Sequence, residues 1–374
     1  MDLQTIRTEI DSIDDQIVKL FEKRMELSKK VAEFKISTGK KVLDKDREKE
    51  KIATLCNLAS NDFNRSGIEE LFTQILSISR KLQYELIKNK KLFPTFTEIE
   101  EINKDDQLKV VYFGVKGSYT EQAMEDYFGT DINSFSAPTF KEVMQAINEG
   151  KADYGVLPIE NTSTGGITDI YDLLADYDNY IIGEHVIKIE HALLGLSGSD
   201  IHNIKTVYSH SQGLMQCSRF LDNYKEIKRM EYPSTAASAK KVFEDQDITQ
   251  AAIASKRAAE HYGLTVLEES INYNDTNSTR FIIITNRKIY LNNANKISIC
   301  FELPDESGTL YNMLSHIIYN KLNMTKIESR PLEGRSFEYR FFLDIEGNLK
   351  DAGIKNALTG INEEAINLKI LGNY

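Results

Sequence analysis

The sequence is short of cysteine, of long apolar runs and of positive charge. Its three cysteines, Cys56, Cys217 and Cys300, are far apart in a chain of 374 residues. An odd, scattered set is neither a disulfide framework nor a metal-ligand cluster, and it fits a reducing compartment. The histidines form no i,i+4 pair, so neither a metal nor a metal cofactor is expected. No stretch approaches the ~20 apolar residues that a bilayer span requires. Met1-Asp2-Leu3-Gln4 lacks the basic start of a signal peptide, which points to a soluble cytoplasmic protein. Lys and Arg number 46 against 57 Asp and Glu, a net charge of −11. Phosphate backbones and anionic lipid would repel such a chain, so no nucleic acid or membrane partner is expected.

What is present divides the chain into parts. Residues 1–92 open with a proline-free stretch of helical periodicity, broken near Gly39 and holding one further glycine, Gly67. Residues 93–107, from Phe93-Pro94-Thr95, are acidic and aperiodic and read as a linker. From 108 to 286, β-rich runs alternate with amphipathic helices. Asn292-Asn293-Ala294-Asn295 reads as a second linker, and 296–374 follows a strand-helix-strand-strand-helix-strand order. The expectation is a multidomain protein: all-α helical, then two-lobed α/β of the periplasmic-binding-protein-like kind, then ferredoxin-like βαββαβ.

Leu3, Ile6, Ile10, Ile13, Ile17, Leu20, Leu27, Val31 and Phe34 trace the seam of one long helix. Arg24 occupies the seam position between Leu20 and Leu27. A guanidinium there pairs with a carboxylate of the protein, snorkels to solvent, or meets an anionic ligand. Lys35 follows three turns later on the same face, ~16 Å away at 1.5 Å per residue, a gap that suits a small dianion. Arg7 lies ~25 Å from Arg24 along the same helix. It reaches that site only from a second, antiparallel copy, so a shared site implies at least a homodimer.

In the middle region, Lys109–Gly114 reads as a strand, and Gly117-Ser118-Tyr119-Thr120 opens a helix whose N–H groups favour an anion. The glycine spacing is not that of a dinucleotide site, and no cofactor is expected. The run from Pro158 to Gly166 follows a buried strand starting at Tyr154. Tyr208–Gln212 and Asn277–Phe281 are further polar clusters at strand ends. Ligands in open α/β sheets sit at carboxyl ends of strands, so three converging clusters would form a small-acid site. His210, beside a helix start, reads as a loop-orienting residue.

These motifs resemble known families. Arg7, Arg24, Lys35, Asp44-Lys45-Asp46-Arg47-Glu48, Ser79 and Gln83 look like the all-helical chorismate mutases over nearly all of residues 1–90. The resemblance implies that Arg7 of a second copy, Arg24 and Arg47 hold the substrate carboxylates, and that Lys35 contacts a carboxylate and the ether oxygen. It sets Asp44 and Glu48 near the substrate hydroxyl, and Ser79 and Gln83 where the last helix closes the pocket. Residues 108–286 resemble prephenate dehydratases, chiefly through Pro158–Ser163 and Thr279-Arg280-Phe281. The resemblance makes Thr279 essential and sets Asn161, Thr162, Ser163, Ser209, Gln216, Arg280 and Phe281 in the pocket. Val115 and Ser211 depart from the family where proline is common. The last segment is similar to ACT-type regulatory domains, which bind phenylalanine at a subunit interface. Gly308, Leu310 and Glu328-Ser329-Arg330-Pro331 match the ligand contacts there, and Thr309 replaces a common alanine. The implied function is bifunctional, chorismate to prephenate and then to phenylpyruvate, with phenylalanine as effector. Two alternatives share these residues: a monofunctional dehydratase with a dimerising helical part, and a cytoplasmic amino-acid-sensing protein without turnover.

Overall fold

The computed structural model describes residues 2–86, 95–105 and 107–374. Residues 87–92 of the expected helical domain, and Phe93, Pro94 and Asp106 of the expected linker, lie outside the described residues. The chain starts with three helices, α1 (Leu3–Thr38), α2 (Lys45–Cys56) and α3 (Asp62–Leu86). Next come β1 (Thr97–Ile99), β2 (Lys109–Phe113), α4 (Tyr119–Phe128), β3 (Asn133–Ala137), α5 (Phe140–Asn148), β4 (Tyr154–Asn161), β5 (Gly165–Gly166), α6 (Thr168–Asp176) and β6 (Tyr180–Lys188). They are followed by β7 (Ala192–Gly195), β8 (Thr206–Ser209), α7 (Ser211–Gln216), α8 (Ser218–Leu221), β9 (Lys228–Glu231), α9 (Thr235–Asp245), β10 (Gln250–Ala254), α10 (Lys256–Tyr262) and β11 (Thr265–Glu268). The last elements are β12 (Ser278–Thr285), β13 (Ile289–Leu291), β14 (Lys296–Leu303), α11 (Thr309–Tyr319), β15 (Met324–Pro331), β16 (Tyr339–Glu346), α12 (Ala352–Glu364) and β17 (Ile366–Asn373).

These elements form two compact units. One comprises Met1–Thr95 and Ile299–Lys369, the other Phe96–Ser298 and Ile370–Tyr374. In the first, α1 is capped by Asp2, which accepts from Thr5 N, and ends at Gly39 in the left-handed conformation (φ 69°). Both α1 and α2 pack on α3, and α3 in turn packs on α11 and α12. The C-terminal strands run in the order β15-β16-β14-β17, so the βαββαβ pattern closes as the sequence implies. Within one chain α1 buries only Ala32. Leu3, Ile10, Ile13, Ile17, Leu20 and Leu27 each remain at least 50% exposed.

The second unit has two α/β lobes. One is built on the order β6-β12-β4-β2-β3, with β2 parallel to β3 and β4, and β12 antiparallel to β4 and β6. Val110, Tyr112, Met124, Val156, Ile182 and Phe281 form its core. The other is built on β11-β7-β10-β8-β9. Its faces bury Leu194, Val242 and Ala252 on one side, and Leu193, Val207 and Ile253 on the other. The lobes touch where Ser255 Oγ donates to Gly117 O at 3.2 Å. A Cβ on Gly117 (φ +79°) would lie 3.0 Å from Ala258 Cα, so only glycine permits this approach.

Two features of this unit differ from the sequence reading. The described part of the expected linker contains β1, which pairs in parallel with β13 (Thr97 opposite Ile289). A three-residue strand has too few residues for a periodic signal, and its partner is ~190 residues away in sequence. Pro158–Asn161, expected to follow a strand, form its last residues. Among the described residues no helix is long and apolar enough to cross a membrane.

Candidate active sites

In the first unit the site residues come from all three N-terminal helices. Arg24 on α1 is half-buried, and its Nη1 donates to Ser79 Oγ and, at 3.5 Å, to Ile75 O on α3. Ser79 Oγ itself donates to Ile75 O at 2.9 Å. These hydrogen bonds of Arg24 thus end on a hydroxyl and a carbonyl rather than a carboxylate. Burial pulls its pKa down, opposed by the charge of Glu48, and a guanidinium so placed stays protonated. Lys35 donates to Val42 O at 2.6 Å. Burial lowers its pKa as well, against Asp44 and Glu48. Gln83, one turn beyond Ser79, is buried, and its Oε1 has no hydrogen-bond partner among the described residues. Glu48 on α2 receives Arg80 Nη1 at 2.5 Å.

The structure does not gather every expected residue here. Asp44 caps α2, accepting from Arg47 N at 3.2 Å, and the Arg47 side chain is exposed. Arg7 lies on the unbroken α1, seventeen residues before Arg24, so within one chain it stays ~25 Å away along the helix.

In the second unit a cavity of about 390 Å³ lies between the two lobes. Asn161, Thr279, Phe281, Gln216, His191 and His210 line it, together with the first residues of α4 (Ser118–Thr120) and α9 (Ser234–Ala236). None of its lining residues is Lys or Arg. An anion there would be met by helix N-termini and neutral donors. Thr279 stands at the start of β12, not at a carboxyl end as the sequence reading expected. Because β12 runs antiparallel to β4, Thr279 lies opposite Asn161, the last residue of β4.

A short chain of hydrogen bonds fixes the threonine. Asn161 Oδ1 accepts from Ser163 N at 2.9 Å. Its Nδ2 must therefore face the other way, and it donates to Thr279 Oγ1 and Asn277 Oδ1, both at 2.9 Å. Ser163 Oγ donates to the same Asn277 oxygen at 3.0 Å. With its oxygen accepting from Asn161, Thr279 presents its own O–H as a donor. Opposite, His191 Nε2 is 2.9 Å from Gln216 Oε1. With Nε2 protonated, His191 donates and turns the Gln216 NH₂ outward. Burial holds His191 below the ordinary 6.5, against the opposing effect of that hydrogen bond.

Four expected residues are placed elsewhere. Strand alternation turns Arg280 to the other face from Thr279, where it pairs with Glu160 at 3.1 Å and Glu184 at 3.2 Å. Ser209 is fully buried and donates to Ile253 O at 2.8 Å. Thr162 and Ser163 shape the turn after β4, with Thr162 Oγ1 accepting from Ser278 N at 2.9 Å. His210 caps α7, its Nδ1 accepting from Gln212 N at 3.3 Å, in line with a loop-orienting role. His191 escaped the sequence reading because an isolated histidine between strands carries no motif. In the C-terminal module, Gly308 (φ +80°) starts α11, Leu310 lies in its first turn, and Glu328–Pro331 end β15.

Histidine burial predicts a pH effect on stability. Below about 6.5 the unfolded chain takes a proton that folded His191 refuses, so stability is present above that value and is lost as pH falls. The slope from this one group is at most about 1.4 kcal/mol per pH unit. Chemical unfolding at about pH 7 and about pH 5.5 should show a smaller loss in His191→Gln than in the parent. Equal losses would remove His191 as the cause.

Residues 6–84 match the family described as chorismate mutase type II, and residues 110–289 the family described as prephenate dehydratase. A bifunctional chorismate mutase/prephenate dehydratase of Aquifex aeolicus (strain VF5) is 32% identical, over 100% of this chain and 98% of that one. One of Escherichia coli (strain K12) is 32% identical over 100% and 96%. The crystal structure of a prephenate dehydratase from Arthrobacter aurescens in complex with L-Phe is 29% identical, with a TM-score of 0.67, covering 71% of this chain and 89% of that one.

Proposed function

The chain belongs to the bifunctional chorismate mutase/prephenate dehydratase family, and we propose that Arg24, Lys35 and Gln83 carry the first reaction and Thr279 the second. It isomerises chorismate to prephenate and converts prephenate to phenylpyruvate. What carries the assignment of the first site is the bonding of Arg24. A half-buried guanidinium bonded to Ser79 and Ile75 O, not to a carboxylate, leaves its charge for an incoming anion.

The chemistry fits these residue types. The rearrangement is pericyclic, so no nucleophile or proton transfer is called for. The site must hold a flexible dianion in its reactive conformer and stabilise negative charge growing on the breaking ether oxygen. Arg24, with Arg47 and a second copy's Arg7, would clamp the carboxylates. Lys35 and the Gln83 amide would face the ether oxygen. Asp44 and Glu48 would take the substrate hydroxyl, and Ser79 would keep Arg24 in place. In the second reaction CO₂ and hydroxide leave as the ring becomes aromatic. The Thr279 O–H would donate to the departing hydroxyl while α4, α9 and Gln216 hold the anionic groups. Asn161, Thr162, Ser163, Ser209, Phe281 and Arg280 would act by supporting this arrangement.

We also assign phenylalanine as effector at Gly308, Leu310 and Glu328–Pro331. The likeness to the phenylalanine-bound Arthrobacter enzyme covers 71% of the chain, more than the 110–289 match, and so extends beyond it. A second copy would cover the α1 seam in the cytoplasm. Nine seam side chains stand 40–68% exposed. Covering them would contribute on the order of 10 kcal/mol per chain, enough with two chains to offset an association cost of about 4–15 kcal/mol.

Separate assays with chorismate and prephenate test the division of labour. Arg24→Ala should lower chorismate turnover about a hundredfold or more and leave prephenate turnover intact. Thr279→Ala should do the reverse, stopping the process at prephenate, and phenylpyruvate release at the parental rate would exclude Thr279. Sedimentation should show at least a dimer, and Ile13→Asp should dissociate it with loss of mutase activity. A monomer that still turns over chorismate would refute the shared site. Millimolar phenylalanine should slow prephenate turnover, and an unchanged rate would dismiss the effector role.

A further inference from the structure

The helical site is braced from the C-terminal module. Arg80 follows Ser79 on α3 and is only 7% exposed. Its guanidinium is divided between two carboxylates. Nε and Nη2 form a fork on Glu364, at 2.9 Å to Oε1 and 3.5 Å to Oε2, while Nη1 reaches Glu48 Oε2 at 2.5 Å. Glu364 is the last residue of α12, and His316 Nε2 on α11 lies 3.2 Å from the same Oε1. The Arg80 and Glu364 side chains keep only 8% and 9% of their exposure, whereas that of Glu48 retains 22%.

A fork between a guanidinium and a carboxylate fixes the plane of the guanidinium. With Nε and Nη2 committed to Glu364, the direction of Nη1 is set, and so is the carboxylate that Nη1 holds. We propose that Glu364 is a positioning residue of the chorismate site, acting through Arg80 to orient Glu48 toward the substrate hydroxyl. The proposal rests on the reading that places Glu48 in that site. Glu364 touches no substrate. It keeps Arg80 from collapsing wholly onto Glu48, which leaves Glu48 Oε1 to accept from the hydroxyl. The mutase site is then complete only when α12 is docked on α3, so a rearrangement of the C-terminal module is felt by the first reaction.

The full-length enzyme tests this with Glu364→Gln, Glu48→Gln and the double variant, assayed with chorismate and with prephenate. Glu364→Gln keeps the shape and removes the charge. It should lower kcat/KM for chorismate about threefold to tenfold, the scale of one misdirected charge-assisted hydrogen bond. Prephenate turnover should hold, since it does not depend on the direction of Glu48, and the assays are run well below the thermal midpoint, which loss of a buried ion pair lowers. On the Glu48→Gln background the second substitution should change kcat/KM less than about twofold, because the route to the substrate is already cut. Additive losses would overturn the proposal and reduce Glu364 to a packing role. So would an unchanged Glu364→Gln, or equal losses in both activities. Were Glu48→Gln itself without effect, Glu48 would leave the site, and that separate result marks failure of the reading beneath.

Discussion

The bond between Arg24 and Ser79 is the contact on which the helical site depends. It joins α1 to α3 at the one seam position where an apolar residue is missing, and it does so without neutralising the charge. A carboxylate at position 79 would have made a stronger pair and a dead site. A hydroxyl holds the guanidinium in direction while leaving its field for a ligand. Arg80, one residue further along α3, shows the opposite solution. Burial works against its charge, and Glu364 with Glu48 more than offset that, so its pKa rises. One helix therefore carries a partner for an arginine kept available and, beside it, an arginine used as a structural tie.

The α/β unit meets the same demand by different means. Its cavity is lined by no cation, and its directional donors are neutral. The backbone N–H of Ser163 decides which way the Asn161 amide turns, and Asn161 decides where the Thr279 proton points. On the opposite wall His191 does the same for Gln216. In each pair one polar side chain orients the other, and all four, Asn161, Thr279, His191 and Gln216, line the cavity. Such preorganisation is what a low-dielectric site rewards, since the dipoles need not reorganise as charge moves.

Much of this was legible in the residues. The seam and its break at Arg24 required only a helical period, and the βαββαβ order required only alternation and turns. Thr279 and Asn161 carried motifs, though not their pairing, which arises because β12 is antiparallel to β4. The face of Arg280 was not legible, because a motif names residues without faces, and strand alternation places neighbours on opposite sides of a sheet. Long-range polar contacts were not legible at all. Arg80 and Glu364 are 284 residues apart, and His191 and Gln216 are 25 apart, with two strands between His191 and the helix that ends in Gln216. No local pattern encodes such a contact, because burial of the surrounding apolar groups brings the partners together, not their own sequence context.

The α12–α3 contact bears on why a helical mutase should share a compact unit with a C-terminal α/β module. Without α11 and α12, Arg80 would keep only Glu48 as a carboxylate partner, and Lys81 and Tyr84 would lose Tyr319 and His316. Burial brings Lys81 down to about 8 and places its ammonium 5.4 Å from the Tyr319 ring centroid. Tyr84 packs against His316 with ring centroids 6.0 Å apart. Polar residues in a buried face give poor general adhesion but demand particular partners, so this face accepts α11 and α12 in one register. Glu364 shows the consequence. Burial raises its pKa while His316 and Arg80 lower it further than burial raises it, so it is anionic in the docked state. The same ion pairs that select the register also set the direction of Glu48. Fidelity of docking and geometry of the first active site are thereby one requirement.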